Sequence, residues 1–306
     1  VGYLFLDKKK IIDVKALNKL KRYITEHKIT IIHAHSSSYF TAVLVKFLIP
    51  KIKIVWHNHY GNAVNLTLRK ILPLKFASYF FKSIISVNTM LNDWAKLKLK
   101  AAHNYYLPNF AVLDANILAT TNLKGAHGKR IVCLANLRPE KDHINLLKAF
   151  QRVNEIHSDW TLHLVGLAIQ DTYATEIKEY IVHHKLSNHV FLYGSCYDTS
   201  FILEQASIGV LASKSEGLPV ALLEYGLAKL PVVVTDVGEC AKVVKHKRSG
   251  MVVAPNNEVA LAKALEMLVL DKKLCSELST TLYETVQMNY SKSNFIQTLI
   301  AIYNLD

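Results

Sequence analysis

The chain has 306 residues, 51% of them hydrophobic and 20% charged, which is enough for two domains with hydrophobic cores. Its formal net charge of +13 is uneven. Residues 1–125 hold 19 Lys and Arg against 5 Asp and Glu, a balance of +14, whereas residues 126–306 hold 18 against 19. This asymmetry predicts an anionic partner for the first part alone. No apolar run reaches the length of a membrane-spanning helix.

The first 125 residues alternate between helical and strand patterns. Residues 13–27 have amphipathic helical spacing, and residues 29–35 follow as a buried strand. The later elements are helix 39–48, strand 53–59, helix 66–82, strand 83–88, a helix to about Lys100 with Thr89 as its predicted N-cap, and strand 105–108. This order predicts a parallel sheet with right-handed crossovers. Residues 1–6 are predicted to be the later part of a strand, and residues 111–128 are predicted to be the linker between two domains.

A second alternation follows the linker. Its predicted strands are 130–135, 161–165, 190–193, 208–212, 231–235 and 251–253. Its predicted helices begin at residues 142, 172, 199, 219, 258 and 272, and a last helix covers 292–305. Four cysteines are scattered through the chain without a C-x-x-C or metal-like pair, which favours a reduced, cytoplasmic protein: Cys133, Cys196, Cys240 and Cys275.

The most informative stretch is S-K-S-E-G-L-P-V-A-L-L-E, residues 213–224. Gly217 permits a tight turn, and Pro219 suits the first turn of a helix. A helix N-terminus attracts phosphate, and the carboxylates of Glu216 and Glu224 accept hydrogen bonds from hydroxyl-rich groups beside it. A solvated position for Glu224 is disfavoured, because leucines surround it in the sequence. The stretch predicts a site for a phosphate with hydroxyl-rich groups beside it, such as a sugar and a ribose.

The E-x7-E spacing, with G-L-P inside it and L-P-V-V-V-T-D-V-G after it, resembles the retaining nucleotide-sugar glycosyltransferases of GT-B fold. The resemblance implies an α/β protein with two facing Rossmann-like domains and parallel sheets. The first domain, residues 1–125, is expected to be the acceptor side and to be incomplete, since the family's Gly-rich first loop would precede Val1. Residues 126–290 are expected to bind the nucleotide sugar, and residues 291–306 to form a helix that crosses back.

The resemblance also implies roles for individual residues. Glu216 and His59 hold the sugar, Glu224 holds the ribose, and Lys141 neutralises the leaving diphosphate. The family's phosphate loop reads roughly G-R-L-x-P-E-K-G; here Asn136 stands at the Arg position and Asp142 at the last Gly. Arg138 is either the substitute cation or a solvated loop charge, and we predict that it acts as a pair with Lys141 on the leaving diphosphate. Further residues expected at the nucleotide sugar are Gly166, Gly217, Leu218, Pro219, Val220 and Asn136.

Two H-x-H pairs, His33/His35 and His57/His59, place rings on one face of each strand. A metal site is disfavoured there, because no Cys, Asp or Glu accompanies them. His33 is expected to be a core histidine. No metal or cofactor is expected for the reaction.

The predicted helix 66–82 interleaves Arg69, Lys70, Lys75 and Lys82 with apolar and aromatic residues. It is either an amphipathic helix for an anionic membrane surface or a packed helix with a basic outer face. A nucleic-acid partner is disfavoured, since no recognised motif accompanies the charge.

These features predict a retaining glycosyltransferase that moves a hexosyl unit from a nucleoside-diphosphate sugar to a lipid-linked or cell-surface glycan acceptor. It is expected in the cytoplasm or on the inner face of the membrane. The alternatives are a non-catalytic nucleotide-sugar-binding remnant and a sugar-nucleotide epimerase of the same fold.

Overall fold

The computed structural model describes residues 2–59, 68–114, 116–168 and 172–304, which form two compact units. One unit is Val1–Pro108 with Phe295–Asp306, and the other is Asn109–Asn294. The division precedes the predicted boundary between residues 125 and 126, because the segment after residue 108 is bonded to the second unit. There the Asp198 carboxylate accepts the backbone N–H groups of Thr120 and Thr121, each at 2.7 Å.

The first unit contains a parallel four-stranded sheet in the order β1-β2-β3-β4. Its strands are β1 (Ile31–His35), β2 (Lys53–Asn58), β3 (Ser83–Ser86) and β4 (His103–Tyr106). Its helices are α1 (Val14–Glu26), α2 (Tyr39–Leu48), α3 (Leu68–Ser78) and α4 (Thr89–Lys98), and α12 (Lys292–Asn304) ends in it. The predicted start of the third helix at Leu66 lies outside the described residues.

Both faces of this sheet are covered. Ile54, Trp56 and Ile84 are buried on one face, against residues of α2, α3 and α4. Val55 and Ile85 are buried on the other face with Phe295, Leu299, Ile302 and Tyr303 of α12. The last helix therefore belongs to the core of the first unit.

Two local predictions in this unit are wrong. Residues 2–6 form no strand, since β1 pairs with β2 alone within the described part of the chain. The cap of α4 is Asn88, whose Oδ1 accepts the N–H of Leu91 at 2.8 Å, and the predicted cap Thr89 is the first helical residue. Asparagine in extended backbone is among the best N-caps.

The second unit contains a parallel six-stranded sheet in the order β10-β9-β8-β5-β6-β7. The strands are β5 (Arg130–Leu134), β6 (Thr161–Val165), β7 (Val190–Gly194), β8 (Ile208–Leu211), β9 (Val232–Thr235) and β10 (Met251–Val253). The chain builds outward from β5 to β7 and then returns to the other side of β5 with β8. Ligands of open α/β sheets bind at such a reversal, beyond the carboxyl ends of the strands.

Seven helices belong mainly to this unit: α5 (His143–Ile156), α6 (Thr172–His183), α7 (Thr199–Glu204), α8 (Val220–Leu227), α9 (Cys240–Val243), α10 (Glu258–Leu270) and α11 (Lys272–Asn289). The sequence analysis did not predict the short helix α9. Throughout the described residues, none of the helices has the length and apolarity that a membrane span requires.

Candidate active site

A cavity of about 300 Å³ opens at the β5/β8 reversal of the second sheet. It is lined by residues at the carboxyl ends of β5, β6 and β8 and in the segments that follow β5, β6, β7 and β8: Leu134, Ala135, Asn136, Lys141, Val165, Gly166, Ser195, Cys196, Thr199, Leu211, Glu216, Pro219, Val220, Ala221 and Glu224. A larger cavity of about 520 Å³ contains none of the predicted site residues in its lining. The smaller cavity is therefore the candidate active site.

A charged pair stands in this cavity. The Lys141 ammonium lies 2.7 and 2.8 Å from the two carboxylate oxygens of Glu216, and Ser213 Oγ donates to the same carboxylate at 2.6 Å. The side chain of Glu216 is only 7% exposed and that of Lys141 is 23% exposed. Two residues predicted to hold different parts of one ligand are thus in direct contact. The part played by Ser213 was not predicted.

A second ion pair joins the loop after β5 to the loop after β8, and here the lysine comes from the loop after β8 and the carboxylate from the loop after β5. Lys214 Nζ lies 3.0 Å from Asp142 Oδ1, and the Lys214 N–H donates to the Glu140 carbonyl at 2.8 Å. Asp142 has a left-handed backbone, with φ of 51°. This conformation accounts for the Gly that the resembling family has here, because glycine adopts it without steric cost. In this chain Asp142 adopts the same conformation and is held by Lys214.

Glu224 is the second carboxylate of the cavity. It lies in α8 between the fully buried Leu223 and Tyr225, and burial raises the pKa of its carboxyl group. Within the described residues, no side chain or backbone N–H donates a hydrogen bond to this carboxylate. A half-buried acceptor without a partner is suited to a ligand hydroxyl pair.

Two glycines bring the loops of the cavity into close approach. A Cβ on Gly166 would lie 2.2 Å from the Ala135 carbonyl oxygen, and a Cβ on Gly238 would lie 2.2 Å from the Glu216 carbonyl oxygen. Gly238 also has φ of 56°, which favours glycine. Gly166 was a predicted site residue. Gly238 was noticed only as the end of the T-D-V-G motif, and its role in seating the Glu216 loop was missed.

Tyr225 was also missed as a positioning residue. Its hydroxyl accepts the Leu134 N–H at 2.7 Å and lies 3.3 Å from the Val210 carbonyl, so it links β5 to β8. A Cβ on Gly209 would lie 2.7 Å from the Tyr225 ring, so glycine makes room for the ring. The tyrosine therefore occupies the gap between the two strands where the sheet reverses.

Several predicted residues have a different placement. Arg138 does not line the cavity: it is half exposed, and its guanidinium lies 4.0 Å from Glu140. It stands in extended backbone just before a 3-10 turn at Pro139–Lys141, and that turn carries Lys141 alone to Glu216. The side chain of Leu218 is packed in the hydrophobic core, and Gly217 is not among the lining residues. Pro219 is the N-cap of α8 rather than its first residue.

Asn136 lines the cavity, but its side chain has a structural partner. Asn136 Oδ1 accepts the N–H of Leu167 at 2.8 Å, so it holds the turn that follows β6. Val220 and Ala221, the first residues of α8, line the cavity as well. The N–H groups of a first helical turn have no partner within the helix and are suited to phosphate oxygens.

His59 belongs to the first unit, where it follows β2 and is partly exposed, with its ring packed against His35 and His57. Its Nε2 lies 3.0 Å from His35 Nδ1, and burial together with the charge of His35 lowers its pKa. His33, expected to be a core histidine, is half buried and contacts both Tyr303 and His57. The four histidines of the two H-x-H pairs therefore form one cluster.

Comparison with known proteins identifies relatives of the chain. Residues 120–285, more than half of the chain, match the family described as "Glycosyl transferases group 1". The lipopolysaccharide core biosynthesis mannosyltransferase LpcC of Rhizobium leguminosarum is 24% identical over 275 residues, which cover 82% of this chain and 78% of LpcC.

Solved structures show the same fold. A glycosyltransferase from Rickettsia africae superposes with a TM-score of 0.81 at 18% identity, covering 99% of this chain and 83% of its own. HepE of Anabaena, determined in complex with UDP and glucose, also gives a TM-score of 0.81 at 18% identity, covering 95% and 81%.

Proposed function

The chain belongs to the group 1 glycosyl transferases and has the predicted GT-B fold, and from this premise we propose that it is a retaining hexosyltransferase. Its donor is a nucleoside-diphosphate sugar, and its acceptor is a lipid-linked or cell-surface glycan. The name of LpcC, a mannosyltransferase of lipopolysaccharide core biosynthesis, supports this class of acceptor.

The observation that carries the proposal is the meeting of Lys141, Glu216 and Glu224 with the N-terminus of α8 in one cavity at the sheet reversal. Lys141 has three N–H donors and directs two of them at Glu216, so one remains for a phosphate oxygen. The first N–H groups of α8 supply further donors to the diphosphate. Glu216 accepts hydrogen bonds from the sugar, and Glu224 accepts them from the ribose.

In the proposed reaction the bond between the anomeric carbon and the diphosphate oxygen breaks. The acceptor hydroxyl forms the new bond on the face that the diphosphate leaves, and its proton passes to the departing diphosphate. Negative charge grows on the diphosphate in the transition state, where Lys141 and the α8 N-terminus stabilise it. These groups belong to the protein, so we propose no metal for this step. The role of His59 at the sugar rests on the family resemblance alone.

We also propose that the first unit binds an anionic membrane surface. Phe76 and Tyr79, in α3 and just after it, are 61% and 63% exposed, and Leu72 is 62% exposed. Lys75 is exposed between them. Apolar and aromatic side chains with interspersed lysine favour the interface of an anionic bilayer.

The test is a panel of radiolabelled nucleotide sugars, incubated with wild-type protein and the Lys141→Met and Glu224→Gln variants. Binding is measured by calorimetry, and products are analysed by chromatography and by NMR of the anomeric configuration. Transfer or slow hydrolysis with retention, lost in Lys141→Met, supports the proposal. Binding without turnover identifies a remnant, conversion of one sugar nucleotide into another identifies an epimerase, and inversion refutes the retaining mechanism.

A further inference from the structure

Four histidines converge at the carboxyl ends of two neighbouring parallel strands. His33 and His35 lie on β1, His57 lies on β2, and His59 follows it. His35 stands opposite His57 in the sheet register. Alternate residues of a strand share a face, so the two strands present all four rings on the same side of the sheet.

The rings are close enough to share a ligand. The ring nitrogens of His33, His35 and His57 that would coordinate an ion all lie within 4.8 Å of one another. His33 Nε2 is 3.1 Å from His57 Nδ1, whereas two nitrogens on a tetrahedral zinc ion are about 3.4 Å apart, given Zn–N bonds of about 2.0–2.1 Å. Little movement separates this arrangement from a metal-binding one.

Two further features fit a metal centre. Tyr303 Oη contacts His33 Nδ1. When Nδ1–H donates to this hydroxyl, the tautomer is fixed and the lone pair of Nε2 is left free for an ion. A cavity of about 440 Å³ is lined in part by His33, His35, Ser37 and Ser38, and it provides a path of entry.

We propose that His33, His35 and His57 form a binding site for a divalent transition-metal ion of the zinc type, with an open position beside His59. Imidazole ligands suit Zn²⁺, Ni²⁺ and Cu²⁺ rather than Mg²⁺ or Ca²⁺. The ion is not part of the transfer step. It would draw His35 away from the hydrogen bond with His59, so bound Zn²⁺ is expected to inhibit transfer; this consequence alone rests on the proposed function.

The test uses the full chain without a polyhistidine tag. Zn²⁺ is titrated in competition with a chromophoric chelator, and Co²⁺ is added separately to record the absorption of a tetrahedral site. The variants are His33→Gln and His35→Gln, neither of which empties the core. The matched control is the double variant His183→Gln/His184→Gln, whose neighbouring rings lie at the end of α6 and directly after it, with centroids 5.0 Å apart.

The wild type and the α6 control are expected to bind one equivalent of Zn²⁺ with the same affinity. Each of the His33 and His35 variants is expected to bind it at least about tenfold more weakly. Unchanged affinity in either variant, loss of binding in the control, or no binding by the wild type would overturn the proposal. Zinc that binds at this site without inhibiting transfer would leave the metal site standing and remove only the link to His59.

Discussion

The ion pair between Lys141 and Glu216 allows a quantitative prediction about the candidate active site. Substitution Lys141→Met removes the ammonium at 2.7 and 2.8 Å and leaves a carboxylate that is 7% exposed, with Ser213 as its recorded partner. A surface pair contributes about 0–1 kcal/mol, and breaking a fully buried pair costs about 3–5 kcal/mol. Lys141 is 23% exposed, so we expect a loss of about 1–3 kcal/mol in the free energy of unfolding.

The measurement is urea unfolding of Lys141→Met, Glu216→Gln and the double variant. The double variant is expected to recover part of the loss, because no charge is left unpaired. The matched control is Arg152→Met, which breaks a more exposed pair with Glu258 at 3.6 Å and is expected to cost less than about 1 kcal/mol. Equal costs for Lys141→Met and the control would refute the electrostatic account of this site.

The same variant separates stability from catalysis. Charge that develops mainly in the transition state is stabilised mainly there, so Lys141→Met should lower kcat by about 10²–10³ and weaken donor binding less. The assay is single-turnover transfer with a donor identified from the panel. Full turnover in a folded Lys141→Met variant would exclude Lys141 from the reaction.

Three other perturbations have expected outcomes. Burial raises the pKa of Glu224, so the native state holds this proton more tightly than the unfolded state, and stability falls as pH rises above the ordinary value of 4.5. The Tm of Glu224→Gln should therefore exceed that of the wild type by more at pH 7 than at pH 4, and a difference independent of pH would contradict this. The same variant should bind the nucleoside diphosphate more weakly. Gly166→Ala places a Cβ 2.2 Å from a backbone oxygen, so it should destabilise by about 1–3 kcal/mol and weaken nucleotide binding in calorimetry, whereas unchanged values would show that the loop yields. The double variant Phe76→Ser/Tyr79→Ser should reduce co-sedimentation with anionic vesicles, and co-sedimentation of the wild type should fall as salt rises. The control Tyr197→Ser, at a side chain 86% exposed in the other unit, should leave it unchanged. Equal binding of the wild type to neutral vesicles would exclude the electrostatic contribution to membrane binding.

The sequence predicts most of the elements because their signals are local. Apolar runs such as residues 208–212 alternate with segments of helical period, and the structure has strands and helices at these places with ends that shift by a few residues. The division between units was misplaced, since the bonds from Thr120 and Thr121 to Asp198 join residues far apart in the chain. Contacts between residues so far apart cannot be predicted from local composition.

The same limit applies within the candidate site. The E-x7-E motif predicts that Glu216 and Glu224 share a ligand, and both do line one cavity. It does not predict that Tyr225 fills the gap between β5 and β8, because that requires Gly209 on the facing strand. The orientation of Arg138 depends on a single 3-10 turn and could not be predicted from the sequence either.

The phosphate loop offers a last prediction, about whether its departures from the family pattern are defects. Asn136 stands at the family's Arg position, yet its Oδ1 holds the Leu167 N–H, and Asp142 stands at the Gly position, yet Lys214 holds it. Each departure has a contact within this chain, which indicates a rearranged loop rather than a weakened one. Asn136→Arg should therefore lower the free energy of unfolding by about 0.5–1.5 kcal/mol, through the lost hydrogen bond, and should not raise turnover. Urea unfolding and single-turnover transfer check the two parts, and a rise in turnover in Asn136→Arg would show that the loop lacks only the cation that the family has there.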